Sequence, residues 1–373
     1  MKNATPFFAG FHRLLFGTPA RSAIDRLQRQ AEDLRRASLC QLARLFEPWL
    51  PPEKLNAPPG SRRRLFPVRV TFWAFLSQVL SPAASCREAL GKVQAWCALH
   101  RIERPDSDTG AYCKARQRLD PSQLRELHAH TAERLQAGIR SSQLWCGRRV
   151  KVVDGTGVSM PDTLKNQKAF PQPSSQKAGC GFPVAHITAC FCLASGALVD
   201  WAEGTLKNHE YSLLRRLWAI FQPGDILLAD RGFCAFEAIA NFVGRGVDSV
   251  VRLHQARCAD FRFGKRIRKN ERLVSWTKPR KRPKECGIRA WKKLPSELGL
   301  RYVKIMVATP GFRTQELIVV TTLLDPEEYS AEAIGELYLR RWGVELFFRD
   351  IKISLGMDIL RCKSPDMVRK EII

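Results

Sequence analysis

Apolar positions recur on two different periods along this chain, and the change of period divides it. Up to about residue 145 they return every three or four residues, the spacing of amphipathic helices, between proline-rich breaks at Pro48-Trp49-Leu50-Pro51-Pro52 and Ala57-Pro58-Pro59-Gly60. Ser85 to Leu99 reads as one helix, Arg101 to Asp106 as a turn, and Ser107 to Leu119 as a second helix with Ser107 or Asp108 as its N-cap. From Gly147 the runs RRVKVVDGTGVS, HITACFCLA and GALVDWAEGT are β-rich and divided by Gly, Ser and Pro. Asn208-His209-Glu210 then caps a helix through Phe221, and Pro223-Gly224 turns the chain into the strand Asp225 to Asp230. Another helix (Ala235 to Val243) and strand (Asp248 to Leu253) follow. Three antiparallel strands followed by alternating helix and strand predict an α/β fold, a mixed sheet with helices packed on it. Residues 255 to about 300 break the rhythm; strands resume with Tyr302 to Ala308 and Glu316 to Leu324, and a helix runs from Ala331 to Leu355.

Composition sharpens this picture. A chain of 373 residues, 45% apolar, is long enough for two or three structural units and unlike a disordered polymer. Against 36 Asp+Glu stand 61 Lys+Arg, a net charge of +25, which attracts polyanions. Nucleic acid is the commonest such partner; a merely basic surface, or one aimed at anionic lipid, is the alternative. The charge is concentrated: Arg262 to Lys293 holds fourteen Lys/Arg, opposed only by Glu271 and Glu285, with Trp276 and Trp291 among them. Cations interleaved with aromatics suit backbone tracking plus base stacking, although a solvated basic loop has the same composition. Lys114, Arg116 and Arg118 make the second N-terminal helix basic, so that pair is either a helix-turn-helix-like DNA reader or a helical pair with a solvated face.

The N-terminus MKNATPFFAGFHRLLFG lacks the apolar core and cleavage site of a secretory signal, and the apolar run Val70 to Leu80 is too short to span a bilayer. A cytoplasmic, nucleoid-associated protein is expected. Twelve cysteines without a C-x-x-C pair predict buried free thiols rather than zinc or disulfides.

The last helix carries the most specific pattern. At 100° per residue, Tyr338, Arg341, Glu345, Arg349 and Lys352 fall within a wedge of about 80°, while Leu337, Leu339, Trp342, Val344, Leu346, Phe347, Phe348 and Ile351 make most of the rest apolar. A helix this apolar is normally buried, so its charged stripe should line a cleft. The alternative is helical ion pairing, since Arg341–Glu345 and Glu345–Arg349 are both i,i+4. Two more carboxylates finish apolar strands: Asp154 after VKVV and Asp230 after ILLA, the latter followed by Arg231. Two strand-end aspartates and a helical glutamate are a sufficient oxygen set for Mg²⁺, and two ions roughly 3.5–4 Å apart could serve both oxygens of a phosphoryl transfer. Asp225 is a weaker candidate because Pro-Gly-Asp reads as a turn, and nothing singles out Asp200 or Glu203. There is no G-x-S-x-G, and His186, His209 and His254 lack an obvious partner, so a Ser/His/Asp hydrolase gets little support.

VVDGTGVSMPDT, GDILLADRGF and YLRRWGVELFFRDIK together resemble the DDE transposases of bacterial insertion sequences, more narrowly the cut-and-paste group marked by Y-x2-R-x3-E-x6-K. Every spacing of that signature is met by Tyr338, Arg341, Glu345 and Lys352. The resemblance implies a ribonuclease-H-like catalytic domain interrupted by a β-rich insertion. The implied plan is a helical DNA-end-binding region at 1–145, the first part of the catalytic domain at 146–254, the basic insertion at 255–309, and the second part with the signature helix at 310–373. It implies Asp154, Asp230 and Glu345 as ligands of two Mg²⁺ ions, with Mn²⁺ as substitute. Tyr338, Arg341, Lys352, Arg349 and Arg231 would lie against DNA. The implied partners are double-stranded DNA, as element ends and target, and a second copy in a homodimer. Cleavage, hairpin formation and strand transfer follow, with a flipped base received by a tryptophan, Trp276 by local likeness and Trp291 behind it. Relatives continue with further helices where this chain stops at Ile373, so a shortened copy is implied. A DNA-binding remnant without cleavage is then the alternative, and a related nuclease of the same fold a weaker third reading.

Overall fold

Strands begin just after the change of period near residue 147, the first at Val150. The computed structural model describes residues 29–56, 64–81, 85–257, 259–307, 315–349, 351–352 and 356–373. These fall into two units: one holds Gln136–Thr156 and His186–Leu346, the other Gly10–Leu135, Gly157–Ala185 and Phe347–Ile373. The N-terminal stretch MKNATPFFAGFHRLLFG, read as lacking a secretory signal, and the break at Ala57 to Gly60 lie outside the described residues.

The helical unit begins with α1 (Leu39–Phe46), closed by a capping box in which the Ser38 hydroxyl accepts from the Gln41 N–H and the Gln41 side chain accepts from the Ser38 N–H. α2 (Val68–Leu80), apolar nearly all round, buries Val70, Trp73, Ala74 and Phe75. α3 (Cys86–Leu99) matches the helix expected over Ser85 to Leu99, with Ser85 as its N-cap. α4 (Gly110–Gln117) starts later than Ser107 or Asp108 would place it, with Thr109 at the N-cap. The reason is local: Asp106 Oδ1 accepts from the Asp108 N–H at 3.0 Å, holding those residues in a turn. α5 (Pro121–Ala137) completes the run.

In the sheet unit, β1 (Val150–Ser159), β2 (Val184–Cys192) and β3 (Leu198–Thr205) are followed by β4 (Ile226–Ala229) and β5 (Asp248–Arg252). Between β1 and β2 lies α6 (Leu164–Ala169), in the helical unit. Between β3 and β4 runs α7 (Glu210–Leu214), prolonged by a 3₁₀ turn over Arg215–Ile220, and between β4 and β5 runs α8 (Phe236–Val243). Further strands are β6 (Lys265–Arg266), β7 (Glu271–Thr277), β8 (Glu297–Val307) and β9 (Gln315–Thr321), with α9 (Ile288–Lys293) before β8. All nine join one sheet in the order β3-β2-β1-β4-β5-β9-β8-β7-β6. β1, β4 and β5 are mutually parallel, and everything from β5 through β9 to β6 pairs antiparallel. The fold is thus the expected mixed α/β. The basic segment 255–309 does not stand apart, because its strands extend the same sheet and β8 pairs with β9 across the expected boundary at 309.

Two buried ion pairs hold this sheet. Lys151, inside the apolar strand β1, gives its ammonium to Asp225 Oδ2 at 2.5 Å and to the Ile220 carbonyl. That makes Asp225, 4% exposed, a structural counter-ion. Arg301 on β8, fully buried, pairs with Glu271 on β7 and also donates to the Leu323, Asp325 and Tyr329 carbonyls. Those carbonyls belong to the loop that leads into the signature helix.

That helix is not one rod from Ala331 to Leu355. It divides into α10 (Ala331–Arg340) and α11 (Gly343–Arg349), with a turn at Arg341-Trp342 where Gly343 lowers helix propensity. Beyond Leu346 the chain belongs to the helical unit rather than to the sheet. There α12 (Pro365–Ile372) packs on α4 and α6. Buried Lys370 donates to the Gln117 carbonyl, and Glu371 accepts from the Arg361 and Cys362 N–H groups. Arg361 in turn serves the carbonyls of Gln78, Val79 and Ser81, the groups a helix end leaves without partners. Such buried polar anchors, with no strand to join the sheet, explain why the 310–373 segment divides at this point.

Eleven cysteines are described and all are free thiols, six of them buried; Cys258 lies outside the described residues. No helix among the described residues is long and apolar enough to cross a membrane.

Candidate active site

Strand register brings the first two candidates together. The last registered pair of parallel β1 and β4 is Val153↔Ala229, so the next residue on each strand is an aspartate, Asp154 and Asp230. Parallel neighbours lie roughly 4.8 Å apart. Both strands are buried up to this point; β4 ends here while β1 runs on to Ser159, contrary to the expectation that Asp154 finishes its strand, and the end of their pairing is where a carboxylate can meet solvent or a cation.

α10 supplies two more. Tyr338 and Arg341, three residues apart on one face, each reach one aspartate. The Tyr338 hydroxyl donates to Asp230 Oδ1 at 3.2 Å, and Arg341 Nη1 donates to Asp154 Oδ2 at 3.2 Å. Both side chains are buried, and the Arg341 guanidinium lies 5.9 Å from the Tyr338 ring centre. The stripe read from the sequence therefore faces the aspartates, at least over its first turn. Glu345 lies on α11, one turn further, and its side chain is outside the described residues. Arg349 and Lys352 belong to the helical unit.

Asp154 carries the electrostatic signature of the site. Burial pushes its pKa up to about 6; Arg341 and the Gly155 N–H oppose this, while Glu210 and Asp230 add to it. Burial also pushes the Tyr338 phenol up, so it stays protonated and donates. One guanidinium thus faces several acids, a balance that favours a further cation. Among the described residues no three His, Cys, Asp or Glu close into a metal cage by themselves.

Sequence reasoning missed Glu210 at this site, having read Asn208-His209-Glu210 only as a helix cap. Glu210 is the first residue of α7, and His209 is the N-cap. His186, which showed no partner in sequence, has two: Nδ1 lies 2.9 Å from the Asn208 carbonyl and Nε2 lies 3.7 Å from Glu210 Oε1. The hydrogen bond with Glu210 raises the His186 pKa. A signal was present in the glycine that follows Asp154 in D-G-T-G, which makes room for this carboxylate.

The remaining candidates divide. Arg231 is exposed and donates to Gln255 at 2.9 Å. Between Arg262 and Lys293 all cations but Arg272, Lys278 and Arg282 are exposed. Lys114 and Arg118 are exposed on α4, whereas Arg116 turns inward, its guanidinium hydrogen-bonded to Gln78 and lying 5.2 Å from the Tyr112 ring centre. Trp276 packs in the core at 5% exposure, with its indole N–H on Tyr302 and Arg257 lying 3.7 Å over its ring. That packing does not favour it as the receiver of a base, because the face a base needs is occupied. Trp291 is the more open of the two.

Comparison with known proteins agrees with this geometry. Residues 145–373 match the family described as the transposase DDE domain. The chain is 26% identical over 316 residues, 83% of its length, to the transposase InsG for insertion sequence element IS4 of Escherichia coli K12, and covers 68% of that protein. Over 52 residues, 14% of each chain, it is 38% identical to the transposase for insertion sequence element IS421 of Escherichia coli. It also overlays 74% of a chain from a piggyBac transposase synaptic complex with hairpin DNA, at a TM-score of 0.40 and 10% identity, too slight a likeness to carry an argument.

Proposed function

The chain belongs to the transposase DDE domain family and is an insertion-sequence transposase, and from that premise we propose that it binds the terminal inverted repeats of its element and catalyses Mg²⁺-dependent strand cleavage, hairpin formation and strand transfer. The observation that carries this reading is the convergence of Asp154, Asp230, Tyr338 and Arg341 where the pairing of β1 with β4 ends. The half-sheet β3-β2-β1-β4-β5 is then the ribonuclease-H-like part, and β9-β8-β7-β6 its basic extension.

In this reading Asp154, Asp230 and Glu345 hold divalent cations; the hard carboxylate oxygens and the excess of acid over base at Asp154 fit such ions. Bound ions supply Lewis-acid stabilisation of charge on the attacking and leaving oxygens. The chain's own groups do the positioning. Tyr338 fixes the rotamer of Asp230 through its hydroxyl proton, and Arg341 does the same for Asp154. In the sheet unit Arg231 contacts DNA phosphates and the exposed cations of 262–293 track the backbone. In the helical unit Arg349, Lys352, Lys114 and Arg118 also contact phosphates, and Trp291 of the sheet unit stacks a displaced base. Double-stranded DNA, a second copy in the DNA complex and a cytoplasmic location complete the proposal.

The test uses the full chain and DNA bearing the element's ends. Asp154→Asn and Asp230→Asn should retain end binding in a mobility-shift assay and lose cleavage with Mg²⁺ or Mn²⁺. Cleavage by either variant overturns the assignment. End binding by the unaltered chain without any cleavage means a DNA-binding remnant instead.

A further inference from the structure

We propose that Glu210, backed by His186, is a further cation-holding carboxylate of this active site; the proposal rests on the reading just given and adds a residue to it. The argument starts from two glycines. A Cβ built on Gly155 would fall 2.0 Å from Glu210 Oε1 and 2.8 Å from its Cγ, and one built on Gly232 would fall 3.5 Å from Oε2. Neither glycine has positive φ, so neither is needed for its backbone conformation. Gly155 directly follows Asp154, and Gly232 lies two residues after Asp230. The Glu210 carboxylate therefore occupies the space that a side chain directly after Asp154 would take, and it lies within ordinary contact distance of the Gly232 position.

Glu210 is also held from behind. Thr188 Oγ1 donates to its backbone carbonyl at 3.5 Å, and His186 on β2 faces its carboxylate. The Asn208 carbonyl can only accept, so His186 Nδ1 carries the proton there and Nε2 is turned to Glu210. The Glu210 side chain keeps 35% of its exposure, and it lines a cleft together with His209, Arg215, Gly232 and Lys284. A carboxylate fixed on one side, open on the other and next to two aspartates has the properties of an ion ligand. Among the described residues these acids do not close a cage on their own, so Glu210 is assigned the part of a carboxylate that supports the ion's immediate ligands. A purely structural His186–Glu210 pair would stabilise the fold and leave cation binding untouched.

Mn²⁺ binding to the full chain, followed by electron paramagnetic resonance, separates these. Glu210→Gln should weaken Mn²⁺ binding about 10–100-fold, the range for a partner of a metal's immediate ligands. It should raise the Mg²⁺ concentration for half-maximal end cleavage in parallel, with the melting temperature unchanged. Gly155→Ala, which displaces the same carboxylate, should reproduce the effect. His186→Gln, which leaves Glu210 in place but unsupported, should give a smaller one and covers the case in which Glu210→Gln fails to fold. Unaltered Mn²⁺ binding and Mg²⁺ dependence in folded Glu210→Gln overturn the proposal. Asp154→Asn is the reference: if it too binds Mn²⁺ normally, the metal-site reading itself fails.

Discussion

The Arg301–Glu271 pair offers a test of what holds the signature helix in place. Arg301 is 0% exposed and Glu271 2%. The guanidinium spends its Nε and Nη2 donors on the carboxylate and its Nη1 on carbonyls of Leu323, Asp325 and Tyr329. Glu271→Gln removes the counter-charge and leaves a buried cation, which costs about 3–5 kcal/mol. Arg301→Met leaves a buried carboxylate and also strips the loop carbonyls, adding about 1–3 kcal/mol for each that stays dry. The double variant, Glu271→Gln with Arg301→Met, discards both charges and most of their desolvation penalty, so the carbonyl losses dominate. The expected order of damage is Arg301→Met worst, with the double variant milder despite two changes. Urea unfolding read by tryptophan fluorescence and by far-UV circular dichroism measures it, and the cycle should show a coupling of about 3 kcal/mol. A cost below about 1 kcal/mol for Glu271→Gln, or a double variant at least as unstable as the summed singles, refutes the reasoning.

Three further outcomes are expected. Asp154 titrates near 6 in the fold against 3.8 for the free group, so between those values the folded chain holds the extra proton and stability falls as pH rises. The loss is about 3 kcal/mol, complete above pH 6. With divalent ions chelated, Asp154→Asn should therefore match the unaltered chain at pH 4 and exceed it at pH 7.5; a difference that does not grow across that window contradicts this. Tyr338→Phe should keep end binding but slow cleavage at least tenfold, since Asp230 loses the hydroxyl that orients it; an unchanged single-turnover rate would mean that the hydrogen bond does nothing. Lys292→Ala with Lys293→Ala should flatten the slope of log K against log salt by about 1.8 for DNA binding, and an unaltered slope would remove α9 from the DNA path.

Legibility followed the range of the interactions. Asp154 and Asp230 were visible because β-branched and aliphatic runs end abruptly in a charge, and the parallel register then aligns those endings. Tyr338 and Arg341 were visible because helical spacing is local. The division of their helix at Arg341-Trp342 was hidden by an apolar pattern that continues through it. Strand order was not readable: nothing local says that β9 pairs with β5, which is why segment 255–309 reads as an insertion yet builds one sheet. Arg116 and Trp276 show a second limit, since residue type gives no direction to a side chain, and both turn into the protein. Glu210 shows a third. An acid in the first turn of a helix already has an ordinary reason to be there, and its real context is the side chain that Gly155 lacks.

The far border of the sheet is β6, only Lys265 and Arg266 long, both exposed. A border strand offers unsatisfied amide and carbonyl groups to any other polypeptide, which is how sheets grow into filaments. Here the growing point is a stub too short to template a partner, and a second molecule docking on it head-on would bring like charges together. The same pair of side chains therefore makes this border repellent to its own kind, and replacing both with Thr or Val would remove that charge guard and leave only the strand's shortness to stop growth.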